Sequence, residues 1–197
     1  MSRIDDLIEQ INGLEGEVQV EFDKRRDDFQ FVMDKRRAQF SAEVAELQRA
    51  SRTGLFTYMT GASFLSWLVS PVIYSGFVPL VLLDGFLSAY QAICFPVYHI
   101  SKVRRSDYLL LDRGDLPYLN VLEKFNCFYC GYANGLMGYG REIAARTEQF
   151  FCPIKHARRI LAAHDHYPSF FEYGDPESYR HGLERLREKL VELPAEE

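Results

Sequence analysis

The chain has 197 residues, enough for one modest domain with accessory segments, and its net charge of −5 at pH 7 gives no support for a nucleic-acid-binding protein. The first six residues, MSRIDD, are partly acidic and lack an apolar core, so we expect no cleavable secretory signal. Charged and apolar residues are segregated into a charged zone, an apolar zone and a mixed zone, and each zone predicts a different structure.

Residues 2–52 predict a long amphipathic, coiled-coil-like helix (domain 1–53), because they contain no proline and only two glycines. Apolar residues recur there at intervals of three and four, the spacing of a heptad seam: Ile4, Leu7, Ile11, Leu14 and Val18. The sequence DKRR at 23–26 recurs at 34–37, an eleven-residue interval that predicts a nearly straight seam. Such a stripe needs a partner, which is a second copy in a homo-oligomer, a membrane protein, or the C-terminal domain.

The apolar zone predicts a transmembrane helical hairpin (domain 54–99). Asp84 is the only charged residue between positions 55 and 98, and one helical crossing needs about 20 apolar residues. We therefore expect spans at about 55–72 and 79–98. Turn signals lie between or near them, at Pro71, Ser75, Gly76 and Pro79. The alternative is a buried hairpin in a soluble protein, because Ser, Thr and Gly weaken the hydropathy of the first span.

Basic residues flank the apolar zone and are absent from the predicted turn. Arg49 and Arg52 precede the zone, and Lys102, Arg104 and Arg105 follow it. The positive-inside rule then places both termini in the cytoplasm, with membrane lipid as a partner.

Asp84 is a candidate intramembrane polar site. An ionised side chain at the centre of a span costs about 2.5–3.5 kcal/mol on insertion scales, which favours a functional reason for its presence. Its position about one turn from the outer end of the predicted span also lets the carboxylate reach water, so both interpretations stay open.

The mixed zone predicts a small cytoplasmic helical domain (100–170). Helices are expected at 116–125 and 141–151, separated by a stretch that glycines at 131, 135, 138 and 140 loosen. Cys152-Pro153 is typical of the start of a further helix. A final amphipathic helix and tail (171–197) follows Asp175-Pro176, and the intervening His164-Asp165-His166 is interpreted as a solvated helix end.

Four residues of the mixed zone have the spacing of metal ligands: Cys127, Cys130, Cys152 and His156. Three sulfurs and one imidazole suit a tetrahedral ion, so we expect one metal ion, with zinc favoured over iron. A redox-active dithiol at Cys127 and Cys130, or cysteines without a shared role, are the alternatives.

Three carboxylates stand near these ligands at helical spacing: Glu123, Glu142 and Glu148. They are candidates for orienting a metal ligand or for acting as a base beside a metal-bound water. The competing interpretation is local ion pairing, with Arg146 as a partner for Glu142. A shell that already holds four protein ligands has no open position for substrate, which favours a protein that is not an enzyme.

The run from Cys127 to Tyr132, CFYCGY, is similar to the first iron knuckle of rubredoxin, and Cys152-Pro153 resembles the opening of its second. Lys155 stands where that family has its fourth cysteine. The longer block NCFYCGYANG…REIAARTEQFFCPIKHARR resembles an uncharacterised bacterial family of small two-span membrane proteins. That resemblance implies the bacterial inner membrane and supplies no activity.

The sequence therefore predicts a mostly α fold: a long N-terminal helix, a transmembrane hairpin and a small metal-binding helical domain. The function expected is a membrane-anchored scaffold or assembly protein that binds a metal ion, with zinc favoured. The alternatives are a rubredoxin-like iron electron carrier that serves a membrane partner and a metalloenzyme with Glu148 or Glu142 as base.

Overall fold

The computed structural model describes residues 10, 13, 14, 16–18, 20, 21, 24, 31–34, 37–158, 160, 161 and 163–192. The chain is mostly helical, as predicted. Its elements are β1 (Phe31–Asp34), β2 (Arg37–Phe40), α1 (Ala42–Ala50), α2 (Leu55–Gly61), α3 (Phe64–Ser75), α4 (Phe77–Val97), α5 (Arg105–Tyr108), α6 (Val121–Phe151) and α7 (Pro176–Glu192). It divides into two compact units, Met1–Gly61 with Asp112–Phe125 and Ala62–Leu111 with Asn126–Glu197.

The prediction of an unbroken N-terminal helix is wrong, because two strands interrupt it in the first unit. β1 and β2 form an antiparallel hairpin in which Phe31 pairs with Phe40 and Asp34 pairs with Arg37. Aromatic and β-branched residues such as Phe31 and Val32 favour strands, and here that preference outweighs the eleven-residue repeat. Helix resumes at α1, where Ser41 caps the first turn by accepting a hydrogen bond from the Val44 amide at 3.3 Å.

The predicted heptad seam is only partly described. Ile4, Leu7 and Ile11 lie outside the described residues, whereas Leu14 and Val18 are helical and exposed. The pairing of this seam with a second copy or a membrane-protein partner stays a prediction.

The apolar zone forms one long helical segment in the second unit. Among the described residues, the run Phe64–Val97 is the helix long and apolar enough to cross a membrane by its length and composition. The turn predicted between two spans is not formed: α3 and α4 continue through Gly76, whose dihedral angles (φ −59°, ψ −18°) are helical. The hairpin is therefore not present in this structure.

Packing explains why the turn signals fail at Gly76. A Cβ added to this glycine would lie 2.5 Å from the Tyr129 hydroxyl, so the missing side chain makes room for that ring. The hydroxyl donates a hydrogen bond of 2.7 Å to the Ile73 carbonyl. Pro71 lies inside α3, and Pro79 lies in the first turn of α4, where proline is tolerated.

After α4 the chain turns back along the helix in a segment that we call the return segment, residues 99–111. His99 begins it with a positive φ of 55°. Gln91 of α4 then holds the backbone of Val103 on both sides, accepting from its amide at 2.9 Å and donating to its carbonyl at 3.2 Å. The return segment thus lies between α4 and α6, antiparallel to both.

The predicted glycine-rich break between two helices is also wrong, because residues 121–151 form the single helix α6. Gly131, Gly135 and Gly138 face the return segment, whereas Gly140 faces Leu87 of α4. A Cβ at Gly135 would lie 2.5 Å from the Tyr108 carbonyl oxygen, and one at Gly131 would lie 3.4 Å from that of Leu110. Glycine here permits a backbone to approach a helix closely, which offsets its poor helix propensity.

The core of the second unit lies where α4, α6, α7 and the return segment meet. Phe95, Leu136, Tyr139 and Ile143 are buried there, together with Leu190 of α7. Tyr139 also accepts a hydrogen bond from Gln91. α7 is tied to α6 by Gln149, whose side-chain amide donates to the Leu186 carbonyl at 2.9 Å.

Candidate functional site

The structure does not bring the four predicted metal ligands together. Cys127 and Cys130 lie in the first turns of α6, whereas Cys152 and His156 follow its last residue, Phe151. At a rise of about 1.5 Å per residue, Cys130 and Cys152 are separated by about 33 Å along the helix. Ligands of one zinc ion lie only about 2.0–2.3 Å from it. The four residues do not share one ion in this conformation, because the chain expected to form a loop between them is helix. The metal ion stays a prediction.

Two of these residues lie near the start of α6, and the other two follow its end. All three cysteines are free thiols, with Cys130 and Cys152 exposed. Residues 152–158 do not continue as a helix, and the His156 amide donates to the Tyr167 hydroxyl at 2.7 Å. Within the part of the chain that the structure describes, no group of three or more His, Cys, Asp or Glu side chains has the geometry of a metal site.

Glu123 has a structural role at the start of α6. The Asn120 side chain accepts from the Glu123 amide at 3.0 Å, and the Glu123 carboxylate accepts from the Asn120 amide at 2.8 Å. This reciprocal pair is a capping box, which satisfies two backbone donors that a helix start leaves without partners. The position of Glu123 is explained without a metal.

The other two carboxylates belong to a cluster that we call the acid–histidine cluster: Glu142, Arg146, Glu148, His164 and His166. Arg146 donates to Glu142 Oε1 at 2.7 Å, which is the ion pair that the sequence offered as an alternative. His166 Nε2 lies 3.0 Å from the same oxygen, and His164 Nε2 lies 3.0 Å from Glu148 Oε2. The cluster fastens residues 163–166 to the last turns of α6.

The electrostatics of this cluster hold Glu142 ionised. Burial raises the pKa of its carboxyl, but hydrogen bonds from His166 and Arg146 outweigh burial and lower the pKa to about 2. A carboxylate with so low a pKa is a weak general base near neutral pH. Catalysis by Glu142 thus gains no support from its surroundings.

The sequence did not indicate that His164 and His166 bind carboxylates of α6. The sequence indicated a solvated helix end, yet their side chains are only 14% and 16% exposed. The signal was the pair of histidines in His164-Asp165-His166, whose rings lie 6.0 Å apart in the structure. Its significance depended on recognising that residues 163–166 are not helical.

Asp84 lies in a polar network on the apolar helix. Arg105 binds both carboxylate oxygens, with Nε 3.0 Å from Oδ1 and Nη2 2.6 Å from Oδ2. Tyr132 of α6 donates to Oδ2 at 2.9 Å. The Asp84 side chain is 14% exposed and that of Arg105 is 48% exposed. The charge of Asp84 is therefore neutralised by a bidentate ion pair from the return segment.

Comparison with protein-family models, with curated proteins and with solved structures finds no match to this chain. The resemblances to rubredoxin knuckles and to a bacterial family of two-span membrane proteins consequently stay predictions. The function must be argued from the geometry of the chain itself.

Proposed function

We propose that the protein is a membrane-anchored scaffold protein. Its anchor is the apolar helix of α3 and α4, and its scaffold is the helical core formed by α6, α7 and the return segment. The observation that carries the proposal is that only two of the 34 residues of the Phe64–Val97 helix, Gln91 and Phe95, are buried by the rest of the chain.

The anchor has exposed apolar side chains along its whole length. Large side chains more than 60% exposed occur along its whole length: Phe64, Leu65, Leu68, Val72, Val78, Leu82, Phe86, Ile93 and Val97. Soluble proteins seldom leave so extensive an apolar surface in water, so a bilayer or an apolar partner is expected to cover it. A helix that is apolar all round, unlike one with a single apolar stripe, favours insertion into lipid over adsorption to its surface.

The anchor also satisfies its polar groups internally, as a membrane helix must. Ser70 donates to the Ser66 carbonyl and Ser75 donates to the Val72 carbonyl, both at 2.7 Å. On the side facing α6, contacts combine small residues with interhelical hydrogen bonds. Gly140 lies against Leu87, and the Tyr90 and Thr147 hydroxyls lie 3.2 Å apart. Membrane helices associate through the same two devices.

The proposal leaves aside the metal, because the four sequence-predicted ligands are spread over both ends of α6. Neither the electron carrier nor the metalloenzyme is favoured by a specific contact in the described residues. The acid–histidine cluster instead supports a structural role, since each carboxylate already binds a basic partner.

Membrane fractionation of paired variants tests the proposal. Leu68→Lys/Val72→Lys places two charges on exposed positions of α3, each costing about 2.5–3.5 kcal/mol near the centre of a span. Leu161→Lys/Val191→Lys adds the same charge at exposed positions outside the anchor and serves as the control. We expect the wild type and the control to remain in membranes after an alkaline carbonate wash, and the first variant to be released. Complete release of the wild type would contradict the proposal.

A further inference from the structure

We propose that the bilayer covers only residues 64–83 of the anchor and that the Asp84–Arg105 ion pair marks one boundary of the hydrocarbon core. The inference rests on the proposed membrane function and names which part of the anchor lipid contacts. The remaining part of α4 then belongs to the helical core outside the hydrocarbon region.

The length of the uncharged run supports this division. The whole helix Phe64–Val97 has 34 residues and would extend about 51 Å, well beyond a hydrocarbon core of about 30 Å. Residues 64–83 contain no charged side chain and would extend about 30 Å. The first charge, Asp84, follows directly. The uncharged run therefore matches one crossing in length and ends at an ion pair.

The two parts of the helix also differ in burial. α3 has no buried residue, whereas α4 has two, Gln91 and Phe95, and both lie beyond Asp84. Phe95 is fully buried in the core, and Gln91 binds the return segment. The helix thus has a first part without buried residues and a second part with one side in the core, although Phe86, Ile93 and Val97 remain exposed there.

The ion pair has the character of a membrane boundary. Two of the Arg105 nitrogens bind Asp84, yet half of the Arg105 side chain is exposed, so its remaining donors need water or lipid headgroups. Long basic side chains reach the headgroup region in this way when their backbone lies near the end of a span. At the centre of the hydrocarbon core those donors would have no partner.

Charges in the second unit are sorted along the same axis. The segments beside residues 74–83 are uncharged: Leu109 to Leu111 in the return segment and residues 126–133 of α6. Charged side chains occur beside the later part of α4, including Lys102 in the return segment and the acid–histidine cluster of α6. An occupant made of acyl chains fits the uncharged end, since it requires no polar partner.

Fluorescence quenching at matched cysteine positions tests the boundary. Val72 and Ile93 are exposed to nearly the same degree, 73% and 70%, and lie on opposite sides of Asp84. Val72→Cys and Ile93→Cys are made in a chain whose native cysteines are replaced by serine, labelled with an environment-sensitive fluorophore and reconstituted into phosphatidylcholine–phosphatidylglycerol vesicles. Quenchers are a nitroxide on the lipid acyl chain and iodide in the water.

We expect the label at position 72 to lose fluorescence to the lipid nitroxide only, and the label at position 93 to lose fluorescence to iodide. Quenching of both labels by the lipid nitroxide would overturn the boundary and leave the membrane anchor intact. Quenching of both by iodide, with no protein floating with the vesicles, would overturn the anchor itself. The pair Leu82→Cys and Val97→Cys, 69% and 68% exposed, repeats the comparison if either first variant fails to fold.

Discussion

Arg105 supplies the positive charge that pairs with Asp84 on the apolar helix. The sequence identified Asp84 as an isolated charge in an apolar zone. It did not identify Arg105 as the partner, because that contact depends on the return segment running back along α4. An isolated charge can be recognised from the sequence, whereas the residue that neutralises it depends on how the chain folds.

We predict that Arg105→Ala lowers the free energy of unfolding by about 1 kcal/mol, since it removes a half-exposed ion pair and leaves Asp84 without its cation. The double variant Asp84→Ala/Arg105→Ala should lose less than the sum of the single variants, because no charge is then left unpaired. Thermal unfolding in detergent micelles, followed by circular dichroism, measures the coupling free energy between the two side chains. Strictly additive losses would show that the pair does not act as a unit.

Glu142 gives a prediction about pH. Its folded pKa of about 2 is below the ordinary value of 4.5, so its contribution to stability is present above about pH 4.5 and is lost as pH falls towards 2. Glu142→Gln should therefore be less stable than the wild type at pH 7, and the difference should shrink by pH 3. Melting temperatures of both proteins across that range measure it. A difference that does not change with pH would count against the ionised cluster.

The cysteines give a prediction that separates this structure from a structural zinc site. Cys152 is exposed and follows α6, far from Cys127 and Cys130. We therefore expect Cys152→Ser to leave the melting temperature unchanged, with or without a zinc chelator. A marked loss of stability in Cys152→Ser, reproduced by chelation of the wild type, would restore the four-ligand ion.

At the scale of elements, the glycines of α6 led to the prediction of a loop where the structure has a helix. Glycine lowers helix propensity, so four glycines in ten residues predicted a loop. In the structure the return segment covers three of those positions and Leu87 of α4 covers the fourth, so tertiary packing outweighs the local preference. Pro71, Gly76 and Pro79 follow the same pattern in α3 and α4. Glycine and proline mark special backbone positions in this chain without distinguishing a turn from a close helix contact.

A pair of glycine substitutions tests this explanation. Gly135→Ala would place a Cβ 2.5 Å from the Tyr108 carbonyl oxygen, so we predict a loss of about 1–3 kcal/mol through overpacking. Gly85→Ala is the matched control in α4, where an added Cβ meets nothing within 4 Å. The control should be neutral or gain up to about 1 kcal/mol from improved helix propensity. Equal effects at the two positions, measured by thermal unfolding, would contradict close packing on α6.

For the whole molecule, the segregation of charge along the chain proved the most informative feature of the sequence. It predicted a mostly helical protein with a long apolar helical segment, and both are present. It did not predict the local pairing of β1 with β2, where strand preference outweighs the repeat. Nor did it predict the continuity through Gly76 or the path of the return segment, since both depend on contacts between residues distant in the sequence. The metal ion stays a prediction: the structure does not gather its four expected ligands, because the chain between them is the helix α6 and does not fold back.

The central claim is that lipid covers the apolar helix, and flotation of the purified wild-type chain tests it most directly. The protein is reconstituted with phosphatidylcholine–phosphatidylglycerol vesicles, washed with alkaline carbonate and centrifuged through a density gradient. The claim predicts that the chain floats with the lipid after the wash. Recovery of a folded, monodisperse chain from the dense, lipid-free fractions would contradict it.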